Sequence, residues 1–97
     1  MAIVKAHVII SGRVQGVYFR SYIKERAESM ELRGWVRNLL NGTVEAVFEG
    51  EAENVRRMVG WCQKGPPAAH VVHVETKWST PTREYSNFEL RRTTMTK

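Results

Sequence analysis

Gly12-Arg13-Val14-Gln15-Gly16-Val17-Tyr18-Phe19-Arg20 lies where one hydrophobic period gives way to another. Before it, Val4, Ala6, Val8 and Ile10 point one way while Ile3, Lys5, His7 and Ile9 point the other, the alternation of a strand with one wetter face. After it, Ser21 to Met30 has helical spacing, with Phe19, Ile23, Ala27 and Met30 on one stripe. A glycine-punctuated turn between strand and helix can point backbone N–H groups into one concavity, with the positive end of the helix dipole behind them. Arg20, in the first helical turn, adds a planar guanidinium suited to phosphate oxygens. By spacing alone the stretch reads equally well as an ordinary loop with an arginine in it.

Working outward, the chain supports four more strand-like runs and one more helical one. Trp35 to Asn38 reads as a strand, and Asn41-Gly42 is the strongest hairpin signal present. Thr43 to Gly50 alternates again, with Val44, Ala46 and Phe48 expected inward and Glu45 and Glu49 outward. Gly34 is expected to be the left-handed residue that turns the chain back after the first helix. Glu51, Glu53 and Asn54 open a second helix whose core stripe is Val55, Met58, Val59 and Cys62, and Gly65-Pro66-Pro67 ends it. Val71 to Trp78 reads as a strand with Val72, Val74 and Trp78 on one face. A polar loop from Ser79 to Ser86, a short strand from Asn87 to Arg91 and a frayed tail from Arg92 follow.

The order β-α-β-β-α-β with a short fifth strand predicts a two-layer ferredoxin-like α/β sandwich: an antiparallel sheet with two helices on one face. Residues 1–97 read as a single domain. In this topology the first two strands run the same way, so Arg20 and Asn38 converge on one edge of the sheet.

Composition narrows the chemistry. All 10 acidic residues are glutamate, so aspartyl-phosphate chemistry and aspartate-based magnesium sites are excluded. Cys62 is the single cysteine, which fits a reducing, cytoplasmic setting and sits on a packing stripe. It does not begin a cysteine-phosphatase loop, because Ala68 stands where that chemistry needs arginine. A lysine and a histidine interrupt the N-terminus before any long apolar run, which speaks against a signal peptide or spanning helix. A net charge of +5 admits small anions and nucleic acid alike. His7 reads as a surface histidine.

Gly12 to Arg20, together with Gly34-Trp35-Val36-Arg37-Asn38 through Asn41-Gly42-Thr43-Val44-Glu45, resembles the two signatures of the acylphosphatase family. Gly65-Pro66-Pro67 and Phe88-Glu89-Leu90-Arg91 also stand where that family has them, so the resemblance covers nearly the whole chain. It implies hydrolysis of a carboxyl–phosphate bond, with Arg13, Val14, Gln15, Gly16, Val17, Tyr18, Phe19 and Arg20 as the phosphate-binding loop. It further implies that Arg20 binds phosphate and Asn38 positions the attacking water. Met30-Glu31, where many members close the helix with glycine, is a departure that bears on the helix end.

Elementary chemistry supports these roles. The leaving carboxylate has a pKa of roughly 4 to 5 and needs no proton at neutral pH. Holding the phosphoryl group, stabilising its oxygens and placing a water in line are enough. The expected enzyme therefore needs no cofactor and no metal; the expected partners are a small acyl phosphate and inorganic phosphate as product or inhibitor, with no nucleic acid or membrane, and a monomer is expected. Its turnover is expected to survive chelators and thiol reagents and to vary little between about pH 5 and 8.

Two other classes compete. An RNA-binding module of the same topology needs aromatic side chains on the open sheet face, whereas Lys5, His7, Ile9, Glu45, Val47 and Glu49 stand there. A regulatory or carbamoyl-phosphate-handling domain, like those fused to hydrogenase-maturation proteins, is the third reading. A P-loop nucleotidase is excluded by the missing Gly-Lys-Ser/Thr.

Overall fold

Residues 2–93 are described by the computed structural model of the chain; the expected fraying of the last residues, 94–97, falls outside them. The alternating segment forms β1 (Ile3–Arg13), with Ala6, Val8 and Ile10 fully buried. It is followed by α1 (Phe19–Ser29), β2 (Arg33–Asn38), β3 (Val44–Glu51), α2 (Ala52–Cys62), β4 (His70–Ser79) and β5 (Phe88–Leu90). The strands lie in the order β4-β1-β3-β2-β5. β1, β2, β3 and β4 pair antiparallel as expected, and β5 adds parallel to β2, which makes the ferredoxin-like sheet mixed.

Both helices cover one face of this sheet. Phe19, Ile23 and Ala27 from α1 and Val55, Met58, Val59 and Cys62 from α2 join Val8, Ile10, Val36, Val44, Ala46 and Phe48 in one core. Each large apolar side chain buried there contributes about 1.5–3 kcal/mol. Cys62 is a packing residue, and burial pushes its thiol far above the ordinary range.

Three details depart from the sequence reading. The left-handed residue after α1 is Glu31 (φ 59), not Gly34. Leu32 N–H donates to the Ala27 carbonyl (2.8 Å) and Glu31 N–H to that of Glu28 (3.1 Å), a Schellman closure in which glutamate takes the conformation usually given to glycine, at a cost of about 1 kcal/mol. Gly34 instead lies inside β2, where a Cβ would stand 1.9 Å from the Val47 carbonyl oxygen. The absent side chain is what lets β2 approach β3.

Val72, expected on one face with Val74 and Trp78, is 70% exposed. A register shift at Ser11/Gly12 reverses the phase of β4, so Val71 and Val74 pack on the core in its place. Trp78 pairs with Ala6 but is half exposed at the sheet edge. Glu49, expected in solvent, is only 4% exposed. The loop before β5 crosses the outer sheet face, and Thr82 and Arg83 N–H donate to the Glu49 carboxylate at 2.7 and 3.2 Å.

At the middle of that outer face Glu45 accepts from Arg37 Nε and pairs with His7 Nε2, both at 2.7 Å. Burial alone would raise its carboxyl pKa; the His7 and Arg37 contacts outweigh it and hold the carboxyl below the ordinary 4.5. A pKa depressed on folding gives stability that is present above the unfolded value and lost as pH falls through the folded one. Glu45→Gln should therefore cost about 1–2 kcal/mol at pH 7 and flatten the decline of stability below about pH 4.5. Urea unfolding of both proteins between pH 7 and 3 measures this; parallel curves would detach Glu45 from the acid response.

Candidate active site

Residues 14–18 bridge the end of β1 and the start of α1, and their side chains divide the work of holding the bridge. Val14 and Val17 point into the core, at 1% and 9% exposure, and anchor it from below. Gln15 reaches sideways: its Nε2 donates to the carbonyls of Leu39 (2.7 Å) and Thr43 (2.9 Å). Those two residues close the β2–β3 turn, in which Leu39 N–H donates to Thr43 O and the Asn41 Oδ1 accepts from both the N–H and the hydroxyl of Thr43. The loop and the end of β2 are thereby tied into one unit.

The backbone of the bridge is turned twice through left-handed conformations, at Gly16 (φ 75) and Tyr18 (φ 63, ψ 25). Glycine adopts this freely; for Tyr18 it costs of order 1 kcal/mol, at a position where the ring is left 78% exposed. Tyr18 is also the N-cap of α1 and no side chain caps that helix. Among the described residues the N–H groups of Gln15, Gly16, Val17 and Tyr18 donate to no backbone carbonyl. A cluster of unspent N–H groups at the positive end of a helix is the physical definition of an anion site.

The resulting cleft has a volume of about 270 Å³ and is lined by Val14, Gln15, Gly16, Tyr18, Phe19, Arg20, Ser21 and Asn38. Arg20 and Asn38, from α1 and β2, thus meet in one cavity. Among the described residues Arg20 has no carboxylate within ion-pair distance. The Asn38 Oδ1 is buried and has no hydrogen-bond partner. Both groups are unspent by the fold, which for the buried Asn38 oxygen is unusual.

Not every residue of the expected loop lines the cleft. Arg13 is exposed on β1, paired with His70, and Val17 belongs to the core. Ser21 was missed; the signal was a hydroxyl in the first helical turn, next to the anion-facing arginine. No carboxylate, histidine or cysteine lines the cavity, and the described residues hold no group of three metal-ligating side chains. No helix among them is long and apolar enough to cross a membrane.

Comparison with known proteins bears on the same elements. A family model described as Acylphosphatase matches residues 6–90. An acylphosphatase of Pelotomaculum thermopropionicum is 49% identical over 90 residues, which cover 93% of this chain and 98% of the relative. The solved structure of an acylphosphatase from Coxiella burnetii superposes with a TM-score of 0.87 at 39% identity, covering 93% of this chain and 94% of that one. Full-length HypF in its phosphate- and nucleotide-bound form superposes with a TM-score of 0.83 at 25% identity; the match covers 94% of this chain but 12% of the larger one.

The Gln15 amide is the tie that sets the distance between loop and Asn38. Gln15→Ala removes two hydrogen bonds from carbonyls that keep one backbone donor each, Gly42 N–H on Leu39 O and Leu39 N–H on Thr43 O, and should lower stability by about 1–3 kcal/mol, read from the urea midpoint at constant slope. Unchanged stability would mean that water replaces the amide without loss.

Proposed function

The chain belongs to the acylphosphatase family, and from that premise we propose how its own residues hydrolyse the carboxyl–phosphate bond of an acyl phosphate. The observation that carries the reading is the meeting, in one cleft, of an arginine with no acidic partner and an asparagine oxygen with no hydrogen-bond partner. The unspent N–H groups of residues 15–18 and the Arg20 guanidinium bind the phosphoryl oxygens and stabilise the charge that they share in the transition state. The Ser21 hydroxyl is a further donor at the rim. Asn38 Oδ1 accepts a hydrogen bond from a water and turns a lone pair of that water toward phosphorus.

The bond from phosphorus to the acyl oxygen breaks with its electron pair, which leaves on the carboxylate. The water oxygen bonds to phosphorus, and its proton passes to a phosphoryl oxygen. No protein acid or base is called on, in keeping with a cleft lined by no carboxylate or histidine. The reading has a monomer in a reducing cytoplasm, with neither nucleic acid nor membrane as partner and with inorganic phosphate as product and inhibitor. The likeness to a small part of HypF supports a carbamoyl-phosphate-handling domain less well than the near full-length likeness to free-standing relatives supports this one. Trp35, on the outer sheet face, is buried at 8% exposure with the guanidinium groups of Arg37 and Arg91 4.7 and 4.8 Å from its ring centre, which leaves little of the ring for a base.

Phosphate release from acetyl phosphate, with a phosphate monoester as control, tests the activity; equal turnover of both would point to a general phosphatase. Arg20→Ala should lose both affinity and rate, with kcat/KM falling about 10²-fold or more. Near-normal inhibition by inorganic phosphate in that variant would refute Arg20 as the anion anchor. Asn38→Ala should behave differently: kcat collapses while inhibition by phosphate persists, because the cradle is intact. Normal turnover would return Asn38 to a structural role at the strand end.

A further inference from the structure

Beside the cleft lies a second cavity of about 410 Å³ to which neither the motifs nor the chemistry above gives a purpose. Its walls are Tyr22 and Arg26 of α1, Trp61 of α2, and Lys64, Pro66 and Pro67 of the segment that leads to β4. The two cavities abut on Phe19. That residue lines the cleft, while its buried ring meets Trp61 edge to face at 5.7 Å and lies so close to Gly65 of the groove that a Cβ there would stand 2.8 Å away.

We propose that this groove receives the acyl part of the substrate and favours an aryl group carrying a carboxylate at its far end. The inference rests on the phosphoryl-transfer reading above, and in particular on in-line displacement. Attacking water and leaving group stand on opposite sides of phosphorus. The sheet register fixes which side is which. Asn38 lies beyond β3 on one side of the loop, whereas Arg13, at the loop's start, pairs with His70 on the other, where the segment from Lys64 to Ala69 enters β4. A leaving group directed away from Asn38 therefore faces the groove.

The lining says what would fit. Tyr22 and Trp61 present half-exposed rings whose centres are 6.4 Å apart, and two consecutive prolines give a wall with little freedom to lose. Arg26 is stacked on Trp61, 4.6 Å from the ring centre. Neither Arg26 nor Lys64 has a carboxylate within ion-pair distance among the described residues, and no acidic side chain lines the groove. Apolar planes capped by two unpaired cations match a flat apolar body with a remote negative charge.

Acetyl, benzoyl and 4-carboxybenzoyl phosphate form the test series. Leaving-group basicity differs among them, so the preference is read as a ratio of kcat/KM values compared between wild type and variant, where that difference cancels. Trp61→Leu should lower the benzoyl-to-acetyl ratio about tenfold, the range of one apolar pocket contact. Lys64 is exposed, so Lys64→Gln tests the charge without cost to the fold; it should lower the carboxybenzoyl-to-benzoyl ratio about threefold or more, chiefly through KM, and high salt should have the same effect on wild type. Wild-type ratios retained in both variants, with acetyl phosphate still hydrolysed by the wild type, would overturn the groove and leave the phosphatase reading standing. Failure of the wild type to hydrolyse any of the three would overturn both.

Discussion

β3 lies between β1 and β2 and runs against both, and the site depends on that one constraint. Two strands antiparallel to a common neighbour are parallel to each other, so their carboxyl ends share an edge. The loop that follows β1 and the residue that ends β2 are then held a strand apart. The helices that connect the strands pack on one face, and α1 starts from the loop at this edge. The Gln15 amide fills the gap, with a donor for each of two carbonyls in the β2–β3 turn. Gly34 makes its contribution from within β2, since without a Cβ the strand can close on Val47.

The cost of such an edge is visible in the groups that folding leaves incomplete. Tyr18 takes a left-handed backbone, the loop N–H groups have no backbone acceptor, Arg20 has no counter-charge and Asn38 keeps an orphan oxygen. The buried Asn38 oxygen is unfavourable by about 1–3 kcal/mol and the Tyr18 backbone by about 1 kcal/mol, while Arg20, partly exposed, costs less. The core that joins Phe19, Phe48, Ile10, Ile23 and Met58 on the far side of the loop carries that expense. Four incomplete groups around one cavity are the mark of a ligand site, and on the proposed reading a bound phosphate and its water would complete most of them together.

Much of this was legible in the residues, and the misses share a cause. Periodicity located every element, since each strand or helix must cover one face of the core, and the glycine-rich stretch located the loop. The reading failed where a residue's neighbours lie far away in sequence. Glu49 alternates like a surface residue, but the loop of residues 80–87 returns across it, and no local pattern encodes that return. Val72 follows the phase of its own strand until a bulge opposite Ser11/Gly12 shifts it. Glu31 takes a conformation that composition assigns to glycine, because the carbonyls of Ala27 and Glu28 reward it. Gln15 looked like one more member of the loop, and its carboxamide turned out to hold the turn across the cleft.

The placement of charge separates two functions that often compete. Glutamates that the fold shelters stand on the outer sheet face, where Glu45 meets His7 and Arg37 and Glu49 meets backbone N–H groups. The cleft, at the edge of the other layer, is lined by no acid and no histidine. A carboxylate there would neutralise Arg20 and repel a phosphoryl dianion by several kcal/mol at the effective dielectric of a protein surface. On the proposed reading acid acts on the stability of the sheet, through Glu45, at a place separate from the cleft. A leaving group that departs without a proton is what makes this division possible. A substrate with a basic leaving oxygen would need a protonated side chain inside the cleft, and that side chain would bring its own pKa into the rate.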